Sequence, residues 1–472
     1  MSGLDRPRIH LTPPTGWLND PNGMTVRDGR WHVFYQYEPD APRWGRMRWG
    51  HASSTDLLRW EHHPVALEPA AHGPDRSGCW SGCLVPGTDP PTVLYTGVAA
   101  RAGVRHASIM VATGSPDLMT WTQDPEGPAI AGAPAGIRPD MFRDPFVWRD
   151  GDEWAMLVGA GTSDRHGTVL LYRSPDLRTW TYRGPFLSAL DIVRACPDLD
   201  VSEIDGPCWE CPQLVRLPDH DLLIMSVVDR SPTVRPAHVI AITGRVHGDR
   251  FVAHQAGRLG LGPDFYAPST TVMPDGRAML FGWIPEDPPP RGSRRSWAGC
   301  LTLPRIVSVD ADGRPRITLA QETGDLGQVV QRWPSVAVAD GAPWTVASDG
   351  GHVELRFRLQ PHGAAPVRID VATSAGLAAE VRYDPRSGRF SVARIGRVMV
   401  AGRDPHGSTV LPAGSGELEL RIILDGSAME LVCNDWITAT VRLPSIGDGG
   451  RSFELSTIGG TCQISDAELR TF

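Results

Sequence analysis

No stretch of the chain is long and apolar enough to cross a membrane, so a transmembrane helix is not expected. Positive charge is not in excess: 46 Lys plus Arg face 54 Asp plus Glu, a formal charge of -8. That balance argues against nucleic acid or an anionic membrane surface as a partner. A P-loop and a dinucleotide fingerprint are both missing, and with them the common nucleotide chemistries. The N-terminal MSGLDRPRIHLTPP has no basic region leading into an apolar run, so it does not read as a signal peptide and a cytoplasmic protein is expected. In that compartment the eight cysteines are expected as thiols. Cys79 and Cys83 flank a predicted strand, and Cys208 and Cys211 have a CxxC spacing, but Pro207 and Pro212 bracket that pair and supply no ligand. Buried thiols are therefore expected in place of structural zinc. Tyrosine is scarce, seven residues against sixteen tryptophans. Indole rings suit the faces of sugars, although most are expected to pack between strands.

What the chain has is repetition. At 472 residues, 41% of them apolar, it exceeds what one hydrophobic core organises, and two domains are expected. One repeat family is SSTDLLRW at 53–60, SPDLMTW at 115–121 and SPDLRTW at 174–180. Its closing tryptophans, Trp60, Trp121 and Trp180, are 61 and 59 residues apart. Ser-x-Asp-Leu predicts a turn, because Ser and Asp side chains bond nearby amides. The tryptophan is predicted to pack where the chain returns to a strand. A second family reads strand, turn, strand, opening at Asp20, Trp80, Arg143, Glu210 and Tyr266. Gly or Asp supplies each turn, and apolar, β-branched or aromatic residues fill both arms. Taking Asp20, Ser81, Asp144, Glu210 and Ala267 as corresponding positions gives intervals of 61, 63, 66 and 57.

Five all-β units at that spacing predict radial repetition around a channel, an all-β five-bladed β-propeller over residues 1–310. A solenoid shares the period but would not gather distant repeat starts at one place. The first strand of a blade lies nearest the axis, so Asp20, Asp144 and Glu210 are expected to face one funnel. Convergent carboxylates suit glycoside hydrolysis, in which one attacks and another gives and recovers a proton. Residues 311–340 are expected as a partly extended connector. Within 341–472 the pattern changes: Val353, Leu355, Phe357 and Leu359 alternate with Glu354, Arg356 and Arg358, and Leu418, Leu420, Ile422 and Leu424 alternate again. Period-two alternation over several strands predicts a C-terminal β-sandwich. No comparable acidic constellation occurs there, so that domain is expected to be structural or ancillary.

WLNDPNG, VFYQYEP with WGH, WSG at 80–82, FRDP at 142–145, WECP at 209–212 and DFYAPST at 264–270 together resemble glycoside hydrolase family 32, the β-fructosidases. The resemblance continues through FGWIPE, WAGCLTLPR and LELRIILDGSAMELVCND, and so covers nearly the whole chain. It implies a five-bladed propeller carrying the site and a C-terminal sandwich, in agreement with the repeat count. It implies Asp20 as the nucleophile on C2 of a β-fructofuranosyl unit, Glu210 as the acid/base and Asp144 as the transition-state stabiliser. Asn19, Gln36, Trp44, Trp80, Ser81, Arg143 and Trp283 carry over as the substrate-binding shell. Trp80, a larger ring expected to narrow the pocket or extend the contact, stands where the family often has Phe. Glu38 stands where Tyr-Asn-Pro is more familiar, a departure that bears on the donor pattern beyond the fructose unit and leaves the catalytic acids untouched. Trp49-Gly50-His51 is expected to pack within a blade. No cofactor is implied. Three carboxylates also suit calcium, but the Asp-Pro and Glu-Cys-Pro settings fit the glycosidase, which needs no metal.

The function so implied is the exo-acting release of terminal β-fructose from sucrose or a short fructan, with sucrose or another small β-fructoside as partner. Three alternatives stay open. Sucrose 6-phosphate hydrolysis would use the basic run Arg43, Arg46 and Arg48 beside Trp44, for which a solvated basic edge is the simpler account. Fructosyl transfer would differ only in what intercepts the covalent intermediate. A non-catalytic fructan-binding module has no need of all three acids. The oligomeric state is open.

Overall fold

The structure is a computed structural model and describes residues 5–101, 103–228, 238–286, 295–395, 406–411, 416–443 and 450–472. Turn chemistry sets the repeat. Ser54 Oγ accepts from the amides of Asp56 and Leu57 at 3.1 and 2.8 Å, and Asp56 Oδ1 accepts from those of Leu58 and Arg59 at 3.0 and 2.7 Å. Asp176 repeats the arrangement with Arg178 and Thr179 at 2.9 and 2.7 Å. These bonds hold the leucine of each copy in the left-handed region, with φ of 64° at Leu57, 66° at Leu118 and 65° at Leu177. The indoles of Trp121 and Trp180 then donate to the carbonyls of Leu118 and Leu177 at 3.0 and 2.9 Å. Two of the tryptophans also reach the neighbouring repeat, Trp60 against Phe281 and Trp121 against Phe34, with ring centroids 5.9 and 5.5 Å apart.

Each repeat is an antiparallel four-stranded meander. Blade I comprises Gly16–Arg27, Arg30–Glu38, Arg48–Ser54 and Glu61–Leu67. Blades II, III and IV start at Gly78–Leu84, Ile137–Asp150 and Trp209–Arg216 and end at Trp121–Gln123, Thr181–Ser188 and Arg250–Arg258. Blade V comprises Tyr266–Val272, Ala278–Ile284, Arg305–Val309 and Pro315–Leu319. Between its second and third strands the chain reaches both ends of the ring. Trp297–Ala298 runs parallel to Gly16–Arg27, with Gly16 opposite Trp297, and Cys300–Leu301 pairs with Ala278–Ile284. One short segment thus ties the last blade to the first, closing the propeller and covering strand edges. The approach is close: Gly299, at φ 84°, lies where a Cβ would overlap the Leu18 carbonyl.

Two six-stranded sheets form the C-terminal sandwich. The alternation read from the sequence becomes cross-strand pairing, with Val353 opposite Leu424, Leu355 opposite Ile422, Phe357 opposite Leu420 and Leu359 opposite Leu418. All eight lie in one buried core with Met429, Leu431 and Cys433. The stretch 311–340, expected as a connector, carries the last strand of blade V at Pro315–Leu319 and the first strand of a sandwich sheet at Gln328–Ala339. Both are edge strands; Pro315–Leu319 is short, with Ile317 and Leu319 buried, and Gln328–Ala339 is largely exposed on both faces and lacks the burial alternation of a half-buried strand.

Candidate active site

Each of the five innermost strands is interrupted at the same level by a β-bulge, one extra residue against its partner strand. The register slips between Leu18 and Pro21, Trp80 and Gly82, Arg143 and Phe146, Glu210 and Gln213, and Tyr266 and Ser269. In three of these blades a proline lies in the slip, at Pro145, Pro212 and Pro268, and in blade I Pro21 closes it; at such a position a missing amide N–H costs the ladder little. The slips of blades III, IV and V bracket the same positions and make Asp144, Cys211 and Ala267 equivalent. The proline after each of them places Asp20, before Pro21, in the same row, with Ser81 as the extra residue of blade II. Glu210 belongs one residue earlier, with Asn19, Trp80, Arg143 and Tyr266. The correspondence drawn from the sequence was therefore one residue out in blade IV, because it matched acid to acid when the following proline carries the phase. The five positions also lie inside the strands and do not begin them. A bulge re-aims side chains, so two successive residues from each blade reach the mouth of the funnel.

Asp20 is held by neutral donors on both oxygens. Asn19 Nδ2 donates to Oδ1 at 2.8 Å and Ser81 Oγ to Oδ2 at 2.8 Å, while Trp17 Nε1 fixes Asn19 Oδ1 at 2.8 Å. Burial raises the Asp20 carboxyl above its usual range and the Glu210 anion adds to this, opposed by the bonds from Asn19 and Ser81. Asp144 is buried, with a left-handed φ of 61°. Its amide donates to Thr96 Oγ1 of blade II at 2.8 Å, and its Oδ2 accepts from the Cys211 amide at 3.0 Å. Burial raises this carboxyl strongly, reinforced by Glu210 and Asp20 and opposed by Arg143 and the Cys211 amide. The Cys211 thiol lies 3.5 Å from Asp144 Oδ2 and 3.9 Å from Asp20 Oδ2, and burial beside two carboxylates keeps it protonated. Glu210 has a third setting: Arg143 Nη1 donates to Oε1 at 3.1 Å and the Tyr266 hydroxyl to Oε2 at 2.8 Å.

Around the acids stand the other expected residues. Trp80 lies under the Arg143 guanidinium, 5.1 Å from Cζ to ring centroid, and meets Trp44 edge-on at 5.7 Å. Trp44 is at the rim, 45% exposed. Gln36 lies on the second strand of blade I between Tyr35 and Tyr37, which oppose Pro21 and Leu18, and donates to the Cys79 carbonyl at 3.2 Å. Trp283 is opposite Tyr266 and packs edge-on against Trp17 at 5.8 Å. The indole nitrogens of Trp80 and Trp283 are buried without a protein acceptor. Trp209 turns away from the funnel, fully buried, with Nε1 donating to the Ile204 carbonyl at 3.0 Å. Trp49 and His51 are buried within blade I. Glu38 pairs with Arg48 at 3.0 Å, and Arg46 donates to the carbonyls of Pro69, Ala70 and Arg76. Two of the three arginines in the basic run are thus engaged within the protein. Tyr266, Cys211 and Thr96 were not picked out; Tyr266 stood in plain view within DFYAPST, whereas only the bulge register reveals the other two.

Among the described residues no group of three or more His, Cys, Asp and Glu is placed to hold a metal. Cys208 and Cys211 face different partners, the Trp209 carbonyl and the carboxylates. No described helix is long and apolar enough to cross a membrane.

A propeller whose axis presents three carboxylates on three blades, each with its own donors, defines a glycoside-cleaving site. The chain belongs to glycosyl hydrolase family 32: residues 10–321 match the model described as "Glycosyl hydrolases family 32 N-terminal domain". It is a glycoside hydrolase, acting on O-glycosyl bonds. It is 32% identical to a sucrose-6-phosphate hydrolase of Escherichia coli, over 91% of this chain and 87% of that one. It is also 32% identical to a raffinose invertase of Escherichia coli, over 98% and 94% of the two chains. Among solved structures, the GH32 beta-fructofuranosidase BmSUC1 of Bombyx mori superposes with a TM-score of 0.80 at 26% identity, covering 100% of this chain and 95% of that one.

Proposed function

We propose that the protein is a retaining, exo-acting β-fructofuranosidase that removes the terminal non-reducing fructose from sucrose or a similarly small β-fructoside. The observation that carries this reading is the unequal provision of the three acids. Asp20 has neutral donors on both oxygens and no cation, so its anion is oriented without being neutralised. That suits a nucleophile attacking C2 of fructose. Glu210 has a cation on one oxygen and a hydroxyl on the other. It is the acid able to protonate the departing oxygen and then take a proton from the water that resolves the fructosyl-enzyme. Asp144, pinned by the Cys211 amide, accepts hydrogen bonds from fructose hydroxyls as positive charge develops in the transition state. Asn19, Ser81, Arg143, Trp80 and Trp283 line the sugar, Gln36 supports it from the second strand, and Trp44 marks the leaving-group side. All eight cysteines are free thiols, seven of them buried, which fits a reducing cytoplasm.

The test separates the acids. With a fructoside bearing an activated leaving group, Glu210→Ala should still form the fructosyl-enzyme but resolve it slowly. Its turnover should fall by roughly two to four orders of magnitude. Azide should rescue it and give a fructosyl azide of retained β configuration. Asp20→Ala should form no covalent intermediate at all. Azide rescue of Asp20→Ala with inversion, together with loss of labelling in Glu210→Ala, would exchange the two roles.

A further inference from the structure

A β-bulge leaves backbone groups outside the ladder, and in a buried strand those groups still need partners. Ser81 is the extra residue of blade II, and Asp144 lies in the slip of blade III. A single hydroxyl serves both. Thr96, on the second strand of blade II, Thr92–Arg101, and opposite Trp80, is fully buried. Its Oγ1 donates to the Ser81 carbonyl at 3.0 Å and accepts from the Asp144 amide at 2.8 Å. Ser81 in turn donates to Asp20, so one hydroxyl joins the supports of two acids on two blades. At the next two joints of the ring the same task is done by other means. In blade III the place of Thr96 is taken by Gly159, opposite Arg143, where a Cβ would overlap the Trp209 carbonyl. There Asp144 itself accepts from the Cys211 amide at 3.0 Å. In blade IV it is Ser226, opposite Glu210, whose Oγ accepts from the Ala267 amide at 3.0 Å. Each amide so held belongs to a residue in the left-handed region, with φ of 61° at Asp144, 48° at Cys211 and 46° at Ala267. That conformation costs a residue other than glycine free energy, and it persists because the preceding blade holds it.

We infer that Thr96 is a positioning residue: by holding the Asp144 amide against the Ser81 carbonyl, it sets where the Asp144 carboxylate stands at the mouth of the funnel. The inference rests on the reading of Asp144 as the acid that steadies the transition state, and it adds what aims that acid. Thr96 is fully buried and acts through the backbone, not on the sugar. Asp144 has two anchors, its amide to blade II through Thr96 and its Oδ2 to blade IV through the Cys211 amide. Loss of the first lets the bulge relax and the carboxylate turn about the second. A displacement of about 1 Å in such a group costs up to roughly a hundredfold in rate.

Thr96→Val keeps the shape and removes both bonds, Thr96→Ser keeps both, and Thr96→Cys, a weaker acceptor, lies between them. Thr243→Val is the control. Thr243 is also fully buried and also bonds across blades, to the Gly313 carbonyl at 2.9 Å, but it stands on the third strand of blade IV, two strands out from Glu210. Turnover of sucrose is measured per folded molecule, with the folded fraction taken from denaturant titration. Thr96→Val should lower kcat roughly tenfold to a hundredfold with KM within about threefold, since the lost aim matters in the transition state. Thr96→Ser should stay within about threefold of the wild type, Thr96→Cys should fall between, and Thr243→Val should lose stability without losing kcat. In an Asp144→Ala background the Thr96→Val loss should shrink to less than about threefold. An equal loss with and without Asp144, or a Thr96→Val that behaves as Thr243→Val does, overturns the inference. Hydrogen exchange needs no turnover: the Asp144 amide should exchange at least roughly tenfold faster in Thr96→Val and unchanged in Thr243→Val. An unmoved amide overturns the inference as well. If Asp144→Ala keeps native turnover while Thr96→Val still frees the amide, the role given to Asp144 fails and its placement by Thr96 stands.

Discussion

The work of Ser81 on Asp20 is opposed by the burial around it. The fold must keep an anion in a dry site, and two neutral donors are what it offers against desolvation and the neighbouring Glu210. Ser81→Ala removes one of them. The carboxyl should rise further, so the acid limb of the kcat/KM–pH profile should move to higher pH while kcat/KM near neutrality falls about tenfold. An unmoved acid limb would separate that limb from Asp20. Asp144 offers the complementary test. Its carboxyl is raised in the fold, so the folded state binds a proton more readily than the unfolded chain. Stability on this account is full near the ordinary carboxylate pKa and is lost as pH rises through the raised value. Asp144→Asn carries no charge at any pH and should raise the unfolding free energy at pH 7 by on the order of 1–2 kcal/mol, with no gain near pH 4, while activity collapses. Denaturant titrations at the two pH values decide it. At this scale the sequence was legible where a motif names its own residue, as with Asp20, Asp144 and Glu210. It was silent on Thr96 and Cys211, which no local motif marks and which only the fold brings against Asp144.

Elements are where the reading slipped by one residue. Repeats counted from acid to acid gave the right number of blades, since an error of one residue hardly changes a spacing of about sixty. The same error in register exchanges the two rows of side chains at the mouth, and only the bulges resolve it. Blade I contains a feature no motif announced. His32, His51 and His63 come from three adjacent strands, with His51 opposite His63 and His32 Nδ1 2.9 Å from His51 Nε2. The His51 ring stacks on Phe34 at 4.4 Å. Burial, then the neighbouring His63, pushes His32 down to about 4 and His51 down to about 3. Both pKa values are depressed below that of an unfolded histidine. The unfolded chain therefore takes up protons first as pH falls below about 6.5, and stability is lost from there downward. The denaturant midpoint should fall between pH 6.5 and 4.5, and in His51→Gln, whatever its starting stability, the fall should be shallower. An identical slope in the variant would show that blade I does not govern acid lability.

For the whole molecule the two domains are joined by buried charge, and every one of the 46 basic side chains involved or not is arginine, with no lysine in the chain. Arg305 of blade V pairs with Glu430 of the sandwich at 3.0 Å, and Arg442 of the sandwich pairs with Glu286 at 2.6 Å. Glu286 in turn accepts from the Gly299 amide at 2.8 Å, next to the segment that closes the ring. At the centre Asp425 receives the amides of Arg8, Ile9 and His10 at 2.8, 3.0 and 3.1 Å, and the rings of His10 and His352, each at 2.7 Å. Burial alone would lower the His10 pKa, but its bonds to Asp425 and Glu430 prevail and raise it to about 9. This group is raised, so its contribution is full below about pH 6.5 and disappears as pH climbs through its folded value. Asp425 is held well below the carboxylate range, and its share is lost only in strong acid. Asp425→Ala leaves five donors without their acceptor in a dry interface, a loss on the order of 3–5 kcal/mol. The wild type should melt in one transition near neutral pH because neither domain opens without breaking this network. In Asp425→Ala calorimetry should resolve two, the sandwich and the propeller separating as independent units. Raising the pH of the wild type past about 9 should move it partway toward the same behaviour as His10 loses its proton. A single transition in Asp425→Ala, merely shifted to lower temperature, would mean that apolar packing between the domains couples them and the charges do not.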